Sequence, residues 1–308
     1  MANETAQGKR IDEATGTETV GHEWDGIEEL NTPLPRWWVW LFYATIVFAI
    51  GYTVAYPAWP MIDKATAGVL GWSSHGQLAE EMAEDRQRRA PIMEALALTP
   101  IERLPENSDL MRAAVAGGRA AFKVNCVQCH GAGAAGSRHY PNLNDDDWLW
   151  GGDLKAIEYT ITNGIRQPEH GGTRFSLMPA FGRDGLLTSA QINAVADHVL
   201  SLSGKAKDNP QGAQIFADNC AICHGPEGTG LREFGAPNLA DALWLHGDSR
   251  EDVIAMITNP RQGVMPAWEG RLDPPTIKML AAYVHSLGGG EDFVEIGADP
   301  AVEVDETP

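Results

Sequence analysis

The longest apolar stretch of the chain lies near its N-terminus. Between Trp37 and Ile62 the sequence contains no charged residue, and aromatic residues crowd both ends of the stretch. A helix rising ~1.5 Å per residue needs about 20 such residues to cross the hydrocarbon layer of a membrane, and tryptophan and tyrosine favour its two interfaces. We therefore predict a single membrane-spanning anchor within residues 33–62.

A cleaved signal peptide is the main alternative for this stretch. Ala65-Thr66-Ala67 resembles a cleavage site, but the apolar core of a signal peptide has roughly 7 to 15 residues and follows a short basic leader. Here a long, polar and acidic segment comes first. We therefore expect an anchor that stays in place.

Two later segments carry the same apolar pattern with helical spacing, and each follows a plausible N-cap, Thr188 or Asp273. Neither is accompanied by the alternating pattern of a strand. The predicted fold class is therefore all-α, with one N-terminal transmembrane helix and helical domains after it. The patterned positions are Ile192, Val195, Ala196, Val199 and Leu202 in the first segment, and Ile277, Leu280, Ala281, Val284 and Leu287 in the second.

These two helices close the copies of an internal repeat. GRAAFKVNCVQCHG at 118–131 matches GAQIFADNCAICHG at 212–225, and MPAF at 178–181 matches MPAW at 265–268. The repeat predicts two tandem domains. The complete division is a polar tail at 1–32, the anchor at 33–62, a connector at 63–109, a first domain at 110–204, a second domain at 205–288 and an acidic tail at 289–308.

Each copy contains one Cys-x-x-Cys-His motif, and the two motifs use all four cysteines. Two thiols three residues apart on one helical turn suit thioether bonds to the two vinyl groups of a haem, and the next residue, histidine, then faces the iron. The pattern predicts two covalently bound haem c groups. The motif residues are Cys126, Cys129 and His130 in the first copy, and Cys220, Cys223 and His224 in the second.

Zinc binding and thiol redox chemistry fit the cysteines less well. A zinc site would bring its two cysteine pairs to within roughly 15 to 20 residues of each other, whereas Cys129 and Cys220 lie in different copies of the repeat. A thioredoxin-like pair would belong to a βαβ pattern, and the sequence has none.

Met178 and Met265 are the candidates for the second axial ligand of each iron. Both precede Pro-Ala and an aromatic residue, shortly before a closing helix, and His/Met ligation is typical of electron-carrying cytochromes. Taken alone, the repeat pairs each methionine with the haem of its own copy. Histidine is the weaker choice of second ligand because the remaining candidates are not repeated: His139, His170, His198, His246 and His285.

Two further matched pairs surround the motifs. Pro141 and Pro237 open the following loops, where a carbonyl could accept a hydrogen bond from Nδ1 of the haem-binding histidine; starting a turn is an equally good interpretation. Trp148 and Trp244 also match, and we expect them to pack in the cores rather than to line a haem edge.

The charge balance limits the possible functions. There are 23 basic and 42 acidic residues, giving a formal net charge of −19, which excludes a nucleic-acid binder that neutralises phosphates. The negative charge would attract a basic donor such as a soluble cytochrome c, although solubility explains it equally well. Two six-coordinate haems leave no open iron, which indicates an electron carrier and not an enzyme.

Flanking charge does not orient the anchor, since Arg36 lies on one side and Lys64 on the other. Haem c is attached outside the bacterial cytoplasmic membrane, so both repeats are expected there. The prediction is a single-pass protein of the bacterial inner membrane, with periplasmic haem domains and a cytoplasmic N-terminal tail.

The segment before the anchor, GHEWDGIEELNTPLPRWW at 21–38, together with the two motifs, resembles the dihaem cytochrome c subunit (subunit III) of cbb3-type cytochrome c oxidases. The resemblance covers nearly the whole chain. It implies an electron-transfer subunit of a proton-pumping complex that reduces oxygen to water on another subunit. The implied partners are a haem b/copper catalytic subunit, a monohaem cytochrome c subunit, a donor cytochrome c and the lipid bilayer.

The resemblance also implies that the methionines are exchanged, Met265 serving the haem of Cys126 and Met178 that of Cys220. Spacing alone leaves both pairings open. Two other functions compete: a dihaem subunit of a membrane dehydrogenase, which only the segment before the anchor disfavours, and a dihaem peroxidase, which would need one iron to be accessible.

Overall fold

In the computed structural model the described part of the chain, residues 9–293, is mainly helical, and it divides into two units between residues 87 and 88. One two-stranded sheet, β1 (Thr19–Trp24) and β2 (Ile27–Leu30), precedes the helices. The helices are α1 (Arg36–Ala55), α2 (Ser74–Leu98), α3 (Ser108–Asn125), α4 (Val127–His130), α5 (Leu154–Asn163), α6 (Ser189–Leu202), α7 (Pro210–Asn219), α8 (Ala221–His224), α9 (Arg250–Thr258) and α10 (Pro274–His285), with 3₁₀ turns at Ile101–Glu106 and Arg232–Phe234.

The sheet is a small exception to the all-α prediction, and it lies within the polar tail predicted at 1–32. β1 and β2 pair antiparallel, with Trp24 opposite Ile27. The turn residues Asp25 and Gly26 both have positive φ, 52° and 85°, as a two-residue hairpin turn requires. Asp-Gly between apolar residues is a hairpin signal that the acidic composition of the segment concealed. Residues 1–8 of the predicted tail lie outside the described residues.

The predicted anchor forms α1. This helix has 20 residues, about 30 Å in length, and is the one helix in residues 9–293 that is long and apolar enough to cross a membrane. It ends earlier than the apolar run because Tyr56, extended at ψ 162°, precedes Pro57. The residue before a proline is driven out of the helical conformation, and proline itself cannot continue the helix.

The predicted connector at 63–109 is largely helical. Most of it is α2, and the end of this helix is held by Lys278 from α10. The Lys278 ammonium, 9% exposed, donates to the carbonyls of Leu96 at 2.7 Å and Thr99 at 2.5 Å. These carbonyls lie at the C-terminus of the helix, where the orphan acceptors and the helix dipole both favour a cation.

Replacing Lys278 by methionine is expected to lower the free energy of unfolding by about 2 kcal/mol, since hydrogen bonds to a charged group are worth roughly 1.5 to 3 kcal/mol. Chemical denaturation of the purified full chain would measure the change. The matched control is Lys155→Met, which removes an exposed ion pair with Glu102 at 3.0 Å, worth under about 1 kcal/mol. Equal losses in the two variants would contradict the role assigned to Lys278.

The two closing helices form as predicted, in α6 and α10, and both predicted N-caps are confirmed. The Thr188 side chain accepts from the backbone N–H of Gln191, whose own side chain returns the bond as a capping box. Asp273 accepts from the N–H of Thr276 at 2.9 Å. These caps satisfy N–H groups that have no partner within the helix.

The cores do not follow the predicted domains 110–204 and 205–288, because the copies exchange their closing helices. α10 of the second copy packs on α3 of the first, and α6 of the first copy packs on α7 of the second. Core 1 draws on residues between 93 and 161 and between 265 and 287. Core 2 draws on residues between 178 and 257.

Both helix crossings use equivalent contacts. The Phe122 ring lies 5.3 Å from that of Tyr283, and the Phe216 ring lies 5.4 Å from that of His198. The exchange has a simple cause in the chain connection. Only residues 203–209 join α6 to α7, and consecutive elements joined by a short link usually pack together. α3 is then completed by the remaining closing helix, α10.

The acidic tail predicted at 289–308 begins as a packed segment. Gly289 accepts a hydrogen bond from Nε1 of Trp148 at 2.5 Å. The Glu291 carboxylate accepts from the backbone N–H of Gly152 at 2.7 Å and from Arg232. The first residues of the predicted tail therefore make specific contacts with the rest of the chain, and 294–308 lie outside the described residues.

Candidate haem-binding sites

Each Cys-x-x-Cys-His motif forms a single helical turn, α4 or α8, directly after the long helix α3 or α7. Cys126 and Cys220 are the N-caps of these turns. The backbone N–H of the motif histidine donates to the carbonyl of the first cysteine at 2.9 Å in both copies. The two cysteine side chains and the histidine side chain of each motif are therefore close together on one helical turn.

A glycine ends each turn. Gly131 and Gly225 both have φ 77°, a left-handed conformation that glycine adopts at little cost. The chain can then reverse, so that the N–H of Gly136 donates to the His130 carbonyl at 2.8 Å and that of Gly230 to the His224 carbonyl at 2.7 Å. The loop that follows returns over the histidine.

That loop fixes the imidazole orientation. Nδ1 of His130 lies 3.2 Å from the carbonyl oxygen of Pro141, and Nδ1 of His224 lies 3.0 Å from that of Pro237. The predicted carbonyl contact is therefore confirmed in both copies. With Nδ1 engaged, Nε2 is the nitrogen left for iron.

Burial favours the neutral form of the histidine and of the first cysteine in each motif. Burial lowers the pKa of both imidazoles, outweighing the proline carbonyls that raise it, and a neutral imidazole is the form that ligates a metal. Burial, and then the neighbouring cysteine, raises the pKa of Cys126 and of Cys220 to about 11. Reactive thiolate pairs lie in electropositive surroundings that lower the pKa, so these thiols do not resemble redox or nucleophilic ones.

The helix exchange determines which predicted site residues share a core. Met265 packs against core 1 together with Cys126, and Met178 packs against core 2 together with Cys220. Each methionine therefore lies in the core that carries the motif of the other copy.

The matched tryptophans pack as predicted, Trp148 against core 1 and Trp244 against core 2. Their indole N–H groups differ. Nε1 of Trp148 donates to Gly289, whereas Nε1 of Trp244 is buried without a hydrogen-bond partner among the described residues. A buried donor is costly to leave unpaired, and the propionates of a haem are acceptors of the kind it needs. The unpaired indole N–H of Trp244, together with the neutral side chains of Cys220 and His224, fits a haem in core 2.

One contact between the two cores could not be predicted from the sequence. Nδ1 of His139 lies 2.8 Å from Nδ1 of His246, and the Arg261 guanidinium lies 3.0 Å from Nε2 of His139. Burial first, and then the neighbouring His139 and Arg261, lowers the pKa of His246. Neither histidine is repeated, and the backbone N–H of His139 also donates to the Leu245 carbonyl at 2.9 Å.

Helical cores that each carry one Cys-x-x-Cys-His motif and one methionine are typical of a c-type cytochrome. The comparisons with known proteins assign its family. The family described as "Cytochrome C oxidase, cbb3-type, subunit III" matches residues 113–199 and 207–284, and "N-terminal domain of cytochrome oxidase-cbb3, FixP" matches residues 16–63. The chain belongs to the subunit III family of cbb3-type cytochrome c oxidases.

Curated relatives extend this similarity over almost the full length. The chain is 54% identical over 287 residues to the cbb3-type cytochrome c oxidase subunit FixP of Sinorhizobium medicae, covering 92% of this chain and 98% of the relative. It is 51% identical over 276 residues to subunit CcoP of Cereibacter sphaeroides, covering 89% and 95%. Its function is electron transfer as a cytochrome c subunit of the oxidase.

Proposed function

We propose that the chain holds two haem c groups, one bonded to Cys126 and Cys129 with His130 as ligand, the other bonded to Cys220 and Cys223 with His224. The observation that carries the proposal is the duplicated one-turn motif whose histidine Nδ1 is held by a proline carbonyl. Bound haem iron supplies one-electron chemistry by cycling between its ferrous and ferric forms.

Met265 and Met178 complete the two sites in exchanged order. Met265 serves the haem of Cys126, and Met178 serves that of Cys220. The support is the packing, since each methionine lies against the core of the motif it is assigned to. The thioether of each methionine would be the second protein ligand beside the motif histidine, and such ligation would favour a high potential. Both irons are then closed to oxygen and peroxide, and oxygen reduction and proton pumping belong to the assembled oxidase.

The expected setting is the bacterial inner membrane, with the haem cores in the periplasm and the β1–β2 hairpin in the cytoplasm. Support comes from α1 as a candidate span and from the need to attach haem c outside the cytoplasm. The electron donor is a basic cytochrome c attracted by the net charge of −19. The acceptor side consists of the haem b/copper catalytic subunit and a monohaem cytochrome c subunit.

Purification of the full chain in mild detergent tests this function. Extraction with acidified organic solvent is expected to leave the red colour on the polypeptide, with two haems per chain, and the double variant Cys220→Ala/Cys223→Ala is expected to retain one. Colour that leaves with the solvent would refute covalent attachment.

The proteins that copurify with the chain distinguish an oxidase subunit from the alternative, a subunit of a membrane dehydrogenase. A partner that contains haem b and copper is expected. Copurification with a flavin or quinone dehydrogenase instead would overturn the assignment to an oxidase, even if both haems were present.

A further inference from the structure

The two methionine segments meet on one short stretch of backbone, Gly164–Arg166. Ile165 and Met265 exchange both backbone hydrogen bonds, each at 3.0 Å. On the other side, the N–H of Arg166 donates to the Arg174 carbonyl at 2.8 Å, and the N–H of Arg174 donates to the Gly164 carbonyl at 3.1 Å. Arg174 begins the segment that leads to Met178. The loop after α5 therefore lies between the two methionine segments and pairs with both through isolated β-bridges.

The Arg166 side chain repeats this connection. Its Nε donates to the Gly263 carbonyl at 2.7 Å, and its Nη1 donates to the Ser176 carbonyl at 3.4 Å. Gly263 and Ser176 each lie two residues before a candidate ligand, Met265 in one segment and Met178 in the other. One planar guanidinium, with donors in fixed directions, thus contacts both segments.

A second side chain, that of Gln262, also connects the two methionine segments, but it belongs to the Met265 segment itself. Nε2 of Gln262, three residues before Met265, donates to the carbonyl oxygen of Met178 itself at 2.9 Å. Gln262 therefore ties the Met178 backbone to the segment that carries Met265. Its loss would remove one contact that holds the Met178 segment, while the pairing of Ile165 with Met265 stays in place.

The conformation of Arg166 is costly for a residue with only a structural task. It is half-buried, and burial lowers the pKa of its guanidinium. Its φ is 53°, a left-handed conformation that is strained in a residue other than glycine. Its side-chain hydrogen bonds within the described residues go to backbone carbonyls, with no carboxylate to balance the charge. Strain and buried charge of this kind are typical of functional positions.

We propose that Arg166 is a positioning residue that holds both methionine segments at once, so that one side chain sets the ligation of both irons. The proposal rests on the function proposed above, with Met265 and Met178 as ligands. A residue that only supports its own loop would affect the nearer haem alone. Arg166 and Gln262 therefore make different predictions, one for two haems and the other for one.

The test uses the full chain, loaded with haem and purified in detergent, and follows the optical signature of methionine ligation in the ferric form together with redox titration. Arg166→Gln is expected to weaken the signature of both haems and to lower both potentials, and Arg166→Lys to restore them in part. Gln262→Leu is expected to affect only the haem of Cys220. The control is Arg183→Gln, whose exposed guanidinium pairs with Asp184 and Asn259, and it should leave both signatures unchanged.

The controls distinguish two kinds of failure. If Met265→Leu and Met178→Leu each remove one methionine signature while Arg166→Gln leaves both intact, the positioning role is wrong and the proposed ligation stands. If neither leucine variant changes a haem, the proposed ligation itself is wrong. A loss confined to one haem in Arg166→Gln would also refute the role assigned to Arg166.

Discussion

Gly118→Ala and Gly212→Ala are each expected to destabilise the haem cores strongly, by about 3 kcal/mol. A Cβ on Gly118 in α3 would overlap the backbone carbonyl oxygen of Met279 in α10, and a Cβ on Gly212 in α7 would overlap that of Ala194 in α6. Backbone cannot rotate away as a side chain can, so the helices must separate. Overpacking of a core costs typically 1–3 kcal/mol and occasionally more, which exceeds the gain of about 1 kcal/mol from replacing a helical glycine by alanine.

Thermal or chemical unfolding of the full chain would measure this loss, and the yield of covalently bound haem would report it independently. Gly117→Ala is the matched control. Its Cβ would meet mainly the Met279 thioether, the flexible end of a side chain, so the change is expected to stay within about 1 kcal/mol. If Gly118→Ala were as stable as Gly117→Ala, the close crossing of α3 with α10, and with it the helix exchange, would be contradicted.

Local features of this fold could be predicted from the sequence because neighbouring residues determine them. The apolar stripe that begins at Ile192 and the cap at Thr188 define α6 without reference to the rest of the chain. The one-turn helix at Cys126 and the carbonyl contact between Pro141 and His130 are equally local, since the motif and its loop span few residues. The duplication provided a second copy in which each of these predictions could be checked.

The exchange of helices could not be predicted from the pattern of residues, because α6 and α10 carry almost the same apolar stripe. The apolar stripe of either helix would suit the close contact with Gly118 in α3 or with Gly212 in α7. The short link at 203–209, which keeps α6 beside α7, decides between the two arrangements. The repeat, by comparison, indicates where the copies begin and end but not which surfaces meet. The contact of Arg166 with both methionine segments depends on the same exchange, and Arg166 lies in a loop where the two copies differ.

Met265→Leu is expected to change the haem bonded to Cys126 and to leave the haem bonded to Cys220 intact, although Met265 belongs to the second copy. Leucine fills nearly the same volume as methionine, so the packing loss should stay under about 1.5 kcal/mol. It offers iron no lone pair, however, and His/Met ligation is the arrangement that raises the potential. One midpoint potential should therefore fall by on the order of 0.1 V, within the span of about 0.8 V that axial ligands set.

Chains that retain a single haem identify which haem has changed. In the background Cys220→Ala/Cys223→Ala, Met265→Leu should remove the optical signature of methionine ligation and Met178→Leu should not. In the background Cys126→Ala/Cys129→Ala, the two outcomes should be reversed. In the chain with both haems, the potential lowered by Met265→Leu should be the one missing when Cys126 and Cys129 are replaced.

Met279→Leu is the control that isolates ligation from packing. Met279 is buried in core 1, the same core against which Met265 packs, so its replacement makes the same chemical change without touching an assigned ligand. Its optical signature and potentials should match those of the unmodified chain. If Met178→Leu, and not Met265→Leu, changed the haem of Cys126, each copy would ligate its own haem despite the exchanged helices. The cores would then have to rearrange when haem binds, because Met178 packs against core 2 and Met265 against core 1.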